Sequence, residues 1–200
     1  MPVSIFDYGA GNLRSVQNTL GELGFPYELV RDREGLQNAS KIILPGVGHF
    51  GQMMRALDAL EVRSILIERI AAGVPFLGIC LGLQALFDWS EEAPDLRGLG
   101  VFPGIVRRFP AHARVPHMGW NELELRRESK LLRDLGAAPY LYFAHSYYVP
   151  EDERASALCT YAEPYTAVLE CANVFGVQFH PEKSGPVGLR IVQNFLELEC

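Results

Sequence analysis

The sequence predicts an α/β protein in which a largely parallel central sheet is flanked by helices and extended by antiparallel strands. Three observations carry that expectation. Short apolar runs at Val3–Phe6, Tyr27–Val30, 41–44 and 74–79 alternate with segments of helical periodicity, as in a parallel sheet covered on both faces. After Trp89 the texture changes to short strand-like runs separated by Pro, Gly and charged turns, which reads as antiparallel additions to the same sheet. No linker, internal repeat or low-complexity stretch interrupts the 200 residues, so residues 1–200 are expected to form one domain.

Val3, Ser4, Ile5 and Phe6 read as the first strand. Asp7-Tyr8-Gly9-Ala10-Gly11-Asn12 then turns into an amphipathic helix reaching about Leu23. Gly9-Ala10-Gly11 opens like a dinucleotide fingerprint, but Arg14 stands where its last glycine belongs, which argues against NAD. Asn12 and Arg14 fall at the helix start, beside whatever occupies the carboxyl edge of the sheet. The third strand runs into Pro45-Gly46-Val47-Gly48-His49-Phe50. That loop either turns its backbone N–H groups to a ligand or is a plain strand-to-helix turn. Helical segments at about 52–60 and 62–72 follow. The apolar run 74–79 then ends at Cys80, with Gly78 and Gly82 two positions either side and a helix-forming stretch through Phe87. Strand, Gly-x-Cys-x-Gly, helix is the thiol form of the nucleophile elbow. Glycine permits the turn, and the sulfur would stand at a helix N-terminus where the dipole favours a thiolate. The competing reading is a small buried hydrophobe. Later strands are expected at 101–109, 122–125, 140–143, 147–149, 157–162 and 166–179, and a last helix at 186–198 buries Val187, Ile191, Phe195 and Leu198.

Composition narrows the function classes. At 48% hydrophobic and 21% charged, the chain can bury an ordinary globular core. A net charge of -6 with no Lys/Arg run argues against nucleic acid. Cys80, Cys159, Cys171 and Cys200 show no C-x-x-C spacing, so neither a metal site nor a disulfide scaffold is suggested. Residues 70–87 carry no charge over 18 positions, but Pro75, three glycines and Gln84 break the run, so no membrane span is expected. Residues 1–7 lack the features of a signal peptide, which makes the cytoplasm the default compartment.

His180 and Glu182, at the end of an apolar strand, are two residues apart, so in an extended segment their side chains share one side. An imidazole beside a carboxylate is what a cysteine enzyme needs: the histidine moves protons and the acid fixes its tautomer. His-Pro-Glu alone could be a surface turn. Joined to an elbow cysteine on the same sheet, it reads as catalytic. The absence of C-G-[SA]-C-[WY] near the N-terminus excludes a papain-like enzyme.

Gly78-Ile79-Cys80-Leu81-Gly82-Leu83-Gln84 with His180-Pro181-Glu182 resembles the class I, triad-type glutamine amidotransferases. The resemblance narrows through Asp7-Tyr8-Gly9-Ala10-Gly11-Asn12-Leu13-Arg14-Ser15-Val16, Pro45-Gly46-Val47-Gly48, Pro116-His117-Met118-Gly119-Trp120-Asn121, Tyr142-Phe143-Ala144-His145-Ser146-Tyr147-Tyr148 and His180-Pro181-Glu182-Lys183-Ser184. Together these are similar to the glutaminase subunits of imidazole glycerol phosphate synthases, from histidine biosynthesis. The likeness runs from about Val3 to Phe195 and departs at Ala144, Gly185 and Pro186.

The resemblance implies that Cys80 attacks the side-chain amide of L-glutamine to form a thioester. His180 then protonates departing ammonia and activates water, and Glu182 orients His180. It implies an oxyanion pocket from the N–H of Leu81 and an N–H of the Gly46, Val47, Gly48 loop. Gln84 and His145, Ser146 and Tyr147 would hold the amino-acid end, although His145 could equally be a packed structural histidine. No cofactor is implied. The implied partner is a (β/α)8-barrel synthase subunit that receives the ammonia. It would be met by Asn12, by Lys183 and by Trp120 in a turn-like segment at 116–121. The plain alternative makes Trp120 core and Lys183 a solvated charge. The competing functions are the glutaminase of a different synthase and a scaffold subunit without activity.

Overall fold

A strand whose every side chain is buried must be covered on both faces, and β1 (Val3–Phe6) is such a strand. The computed structural model describes residues 2–136 and 138–198, so Cys200 lies outside the described residues. After β1 the chain alternates as expected: α1 (Leu13–Glu22), β2 (Tyr27–Val30), α2 (Arg33–Asn38), β3 (Ile42–Gly46), α3 (Phe50–Ala59), α4 (Arg63–Ala71) and β4 (Phe76–Cys80). Then come α5 (Leu81–Gln84), β5 (Phe87–Ser90), β6 (Phe102–Arg108), β7 (His117–Glu122), β8 (Glu124–Leu125) and β9 (Tyr140–His145). The chain continues with β10 (Tyr147–Tyr148), β11 (Ala155–Thr160), β12 (Pro164–Cys171) and β13 (Val174–Val177), and closes, after a 3₁₀ turn at Pro181–Lys183, with α6 (Gly185–Leu196).

The main sheet has eight strands in the order β2-β1-β3-β4-β13-β12-β11-β8. β2, β1, β3, β4 and β13 run parallel, with β13 set beside β4 in the register Val174 to Phe76 through Val177 to Ile79. β12, β11 and β8 add antiparallel. The remaining strands do not extend this sheet. β10, β6 and β5 form a three-stranded sheet and β7 and β9 a two-stranded ribbon.

Alternation along the buried strands fills two apolar layers. Ile42, Leu44 and Phe76 pack with Leu57 of α3 and Ile65 of α4, while Ile43, Leu77 and Phe175 pack with Leu20 of α1 and Phe195 of α6. Each fully buried side chain of this size contributes about 1.5–3 kcal/mol relative to exposure.

Two local expectations are corrected. The helix after Cys80 ends at Gln84 rather than Phe87, because Phe87–Ser90 pairs in parallel with β6, and tertiary pairing overrides helix propensity. The segment 116–121 is not a turn. His117 through Glu122 pairs residue for residue with β9, Trp120 facing Tyr142, and Pro116 with Gly119 (φ 145°) masks the strand pattern. What positions the site is the parallel arrangement itself. The carboxyl ends of β1, β3, β4 and β13 lie side by side, so the Asp7–Asn12 loop, the Pro45–Gly48 loop, Cys80 and the His180 turn meet at one edge.

Candidate active site

Cys80 ends β4 with φ 53° and ψ −105°, a backbone state that few residues other than glycine adopt, and its neighbours explain how the chain holds it. A Cβ on Gly82 would stand 2.1 Å from the Leu44 carbonyl oxygen, and one on Gly78 would stand 2.5 Å from the Gly82 backbone. Gly46 is pressed in the same way against the Gly82 nitrogen and the Leu81 side chain, both 2.7 Å from its would-be Cβ. The elbow is thus a three-glycine closure of β3, β4 and α5. Since α5 is a single turn, its aligned dipoles are few, and it gives the sulfur less support than the sequence suggested.

That support comes from His180. The expectation that His180 and Glu182 share an extended strand is corrected: β13 ends at Val177 and Glu182 lies in the 3₁₀ turn. The turn still brings them together, His180 Nδ1 meeting Glu182 Oε1 at 2.9 Å with both side chains 3% exposed. Backbone and side-chain bonds fix the turn. His180 N–H donates to the Tyr142 carbonyl at 2.9 Å, and Ser184 Oγ donates to the His180 carbonyl at 2.7 Å while accepting Tyr142 N–H at 3.0 Å. Asn12 reaches across from the first loop, its Nδ2 donating to Glu182 Oε1 at 3.3 Å. Burial pushes the His180 pKa down, but the Cys80 sulfur and the Glu182 carboxylate outweigh it and carry the imidazole up to about 10. Both neighbours therefore favour the charged form of the imidazole over the neutral one.

Cys80 and His180 open into a cavity of about 170 Å³. Val47, Gly48 and Leu81 line one side, and Gln84, His145, Ser146 and Tyr147 line the other. Gly46 lies behind them, against the elbow. Leu81 opens α5, so its N–H has no intrahelical partner. Gln84 lines the cavity with its donors turned inward: Nε2 donates to the Tyr147 carbonyl at 2.8 Å and to Gln178 Oε1 at 3.0 Å. Both ring nitrogens of His145 are likewise used by the protein, Nδ1 on the Tyr147 carbonyl at 2.8 Å and Nε2 on the Tyr165 hydroxyl at 3.3 Å. Burial lowers the His145 pKa to about 3, so the ring is neutral. It builds the wall rather than offering a hydrogen bond to a ligand.

Of the three residues expected at a partner, Asn12 is half-buried on Glu182, whereas Trp120 is 54% exposed and Lys183 is exposed. Trp120 is therefore not core. It and Lys183 Nζ flank the same ring, that of Tyr142, at 6.1 and 5.8 Å. Met118, 64% exposed, continues this face to the cavity rim.

Three residues near the sulfur escaped sequence reasoning. Glu92 lines the cavity, with Oε2 accepting Phe50 N–H at 2.7 Å. Gln178 is fully buried and donates to Cys80 Sγ at 3.5 Å. Tyr8 buries its hydroxyl beside the Val47 backbone. Burial, opposed by the Val47 backbone, takes the Tyr8 phenol up to about 12. Only the alternation around Gln178, a polar residue inside an apolar run, was available as a signal. Among the described residues no cluster of His, Cys, Asp or Glu could hold a metal ion. A larger groove of about 1170 Å³ lies at the opposite, amino edge of the sheet and contains none of the expected residues. Of the charges that line it, Glu170 accepts from the Lys130 and Leu131 N–H groups and Glu197 pairs with Arg133.

The family model "Glutamine amidotransferase class-I" matches residues 4–198. A HisH subunit of imidazole glycerol phosphate synthase from Desulfitobacterium hafniense (strain Y51) is 45% identical over 195 residues, covering 96% of this chain and 92% of that one. Its counterpart from Methanothermobacter thermautotrophicus is 45% identical, covering 98% of both. The chloroplastic imidazole glycerol phosphate synthase hisHF of Arabidopsis thaliana is 48% identical, the match taking in 97% of this chain and 34% of that longer one. A solved glutamine amidotransferase shares the fold with a TM-score of 0.78 at 22% identity and 98% coverage of each chain. So does PurLQS from Thermotoga maritima, at 0.73 and 21%, with 98% of this chain and 97% of that one covered. The chain belongs to the class-I glutamine amidotransferase family and, within it, to the HisH subunits of imidazole glycerol phosphate synthase.

Proposed function

We propose that Cys80, His180 and Glu182 are the triad with which this glutaminase subunit hydrolyses L-glutamine. The observation that carries the assignment is the imidazole of His180, buried between the elbow sulfur and the Glu182 carboxylate at the mouth of a small cavity. The thiolate attacks the amide carbon of glutamine, and the C–N bond breaks as the imidazolium delivers its proton to the departing ammonia. Neutral His180 then takes a proton from water as that water attacks the thioester, and glutamate leaves. Leu81 N–H and an N–H of the Gly46, Val47, Gly48 loop receive the oxyanion; their approach at the elbow supports this.

Glu92, the carboxylate lining the cavity, is suited to the ammonium of the amino-acid substrate. In this reading Gln84 contributes its carbonyl and Ser146 and Tyr147 their strand, while His145 holds that strand in place. Ammonia passes to a (β/α)8-barrel synthase subunit making imidazole glycerol phosphate. Asn12, Trp120 and Lys183 meet this partner beside the cavity. The place of the matched region as about a third of the Arabidopsis chain supports a companion synthase. No described helix is long and apolar enough to cross a membrane, and Cys80, Cys159 and Cys171 are free thiols. We assign the reaction to the cytoplasm.

The test is glutamate release from glutamine by the full chain, alone and with the barrel subunit and its acceptor substrate. A slow free chain that accelerates in the complex is expected. No glutamate from either preparation would remove the assignment.

A further inference from the structure

A buried glutamine inside an apolar strand end costs free energy unless each end of its amide is satisfied, and both ends of Gln178 have partners at the nucleophile. The direction of that amide is forced from outside. The Tyr147 carbonyl can only accept, so the Gln84 atom 2.8 Å from it must be the amide nitrogen. The second N–H of Gln84 points at Gln178, 3.0 Å away, and needs Oε1 there. Gln178 Nε2 is then left facing Cys80 Sγ at 3.5 Å. The same Tyr147 carbonyl also fixes the neighbouring ring chain. It takes the Nδ1–H of His145, whose Nε2 takes the Tyr165 hydroxyl proton, leaving that oxygen to accept from His117 Nδ1 at 3.2 Å.

We propose that Gln178 is a positioning residue for the nucleophile. Its Nε2–H is aimed at Cys80 Sγ, where it favours the thiolate over the thiol, and Gln84 with the Tyr147 carbonyl prevents the amide from turning round. An N–H bonds more strongly to a charged acceptor than to a neutral one, so the contact discriminates between the two sulfur states. A reversed amide would instead set Oε1 against the sulfur and oppose ionisation. The inference rests on Cys80 being the nucleophile and adds a determinant of its charge that lies outside the triad.

The ionisable groups around the sulfur come from several elements. They are His180 and Glu182 on the 3₁₀ turn, Tyr8 in the first loop, Tyr165 on β12, His145 on β9 and Glu92 on the cavity wall. Substitution at 178 removes none of these groups. The experiment measures iodoacetamide alkylation of Cys80 against pH in the full chain, read by mass spectrometry, alongside kcat and KM for glutamine in the complex. In Gln178→Met, alkylation at neutral pH should slow about tenfold, its half-maximal pH should rise by about one unit, and kcat should fall about tenfold with KM little changed. The rate at the alkaline plateau should match wild type. Gln178→Glu keeps an acceptor for Gln84 but turns a carboxylate to the sulfur. It should shift the profile further in the same direction, and it serves if the Met variant does not fold. An unmoved profile overturns the proposal. So does a loss equal at every pH, plateau included, because that is the signature of lost access rather than lost charge stabilisation. If neither chain nor complex releases glutamate while the profile still moves, the glutaminase reading fails and the Gln178–Cys80 relation stands.

Discussion

In the proposed triad His180 is the residue on which the chemistry turns, because burial disfavours its charged form and two neighbours favour it. Its pKa of about 10 lies above the ordinary 6.5, so its contribution to stability is fully present below pH 6.5 and is lost as pH rises toward 10. Cys80→Ser removes the main upward influence while changing volume little. In that variant the His180 titration, followed by NMR, should move down from about 10, and glutamate production should fall to background with the circular dichroism unchanged. An unshifted His180 would mean that the sulfur is not its partner.

At the scale of elements, the elbow depends on strands and a helix approaching closer than side chains allow. Gly82→Ala forces a Cβ against the Leu44 carbonyl at 2.1 Å, a contact with backbone that cannot swing aside. It should cost about 1–3 kcal/mol, seen as a Tm lower by several degrees, together with a loss of turnover. A variant melting with wild type would show that β3 and α5 can part without penalty. The β7–β9 ribbon carries the other element-scale expectation. Trp120 and Lys183 frame Tyr142 on an exposed face that adjoins the triad turn, and the Tyr142 carbonyl accepts His180 N–H. Force on this ribbon therefore reaches His180, the proposed base, directly through that hydrogen bond. Trp120→Ala and Lys183→Ala should leave the basal glutaminase rate near wild type while reducing stimulation by the proposed barrel subunit severalfold. Normal stimulation of both variants would dismiss the ribbon as the route.

For the whole molecule, acid should act in the opposite sense to the base sensitivity of His180. Burial holds His117 and His145 at about 4 and 3, below their unfolded value of 6.5, so stability falls as pH drops from 6.5 toward those values. At pH 5 the loss is about 2 kcal/mol for each histidine, measurable as a lower urea midpoint, and His117→Phe should flatten the slope. Much of this molecule was legible in its sequence. The alternation of apolar runs and helices gave the sheet, and the glycine spacing around Cys80 gave the elbow, because both are local patterns with a single steric cause. The β7–β9 ribbon was not legible, since its pairing is set by a partner strand and its pattern is broken by Pro116 and Gly119. Gln178 and Glu92 were missed for a related reason: each acquires meaning only from what the fold sets opposite it. The place of β13 carries a further consequence. This strand lies near the middle of the sheet, between β4 and β12, yet it is the last of the described strands in chain order, and Asn12 must wait for Glu182, made 170 residues later. A growing chain on the ribosome therefore displays Cys80 beside an unfilled gap long before His180 exists. The proposed triad is therefore complete only once residue 182 has been made, and products truncated before it would carry the proposed nucleophile without its base.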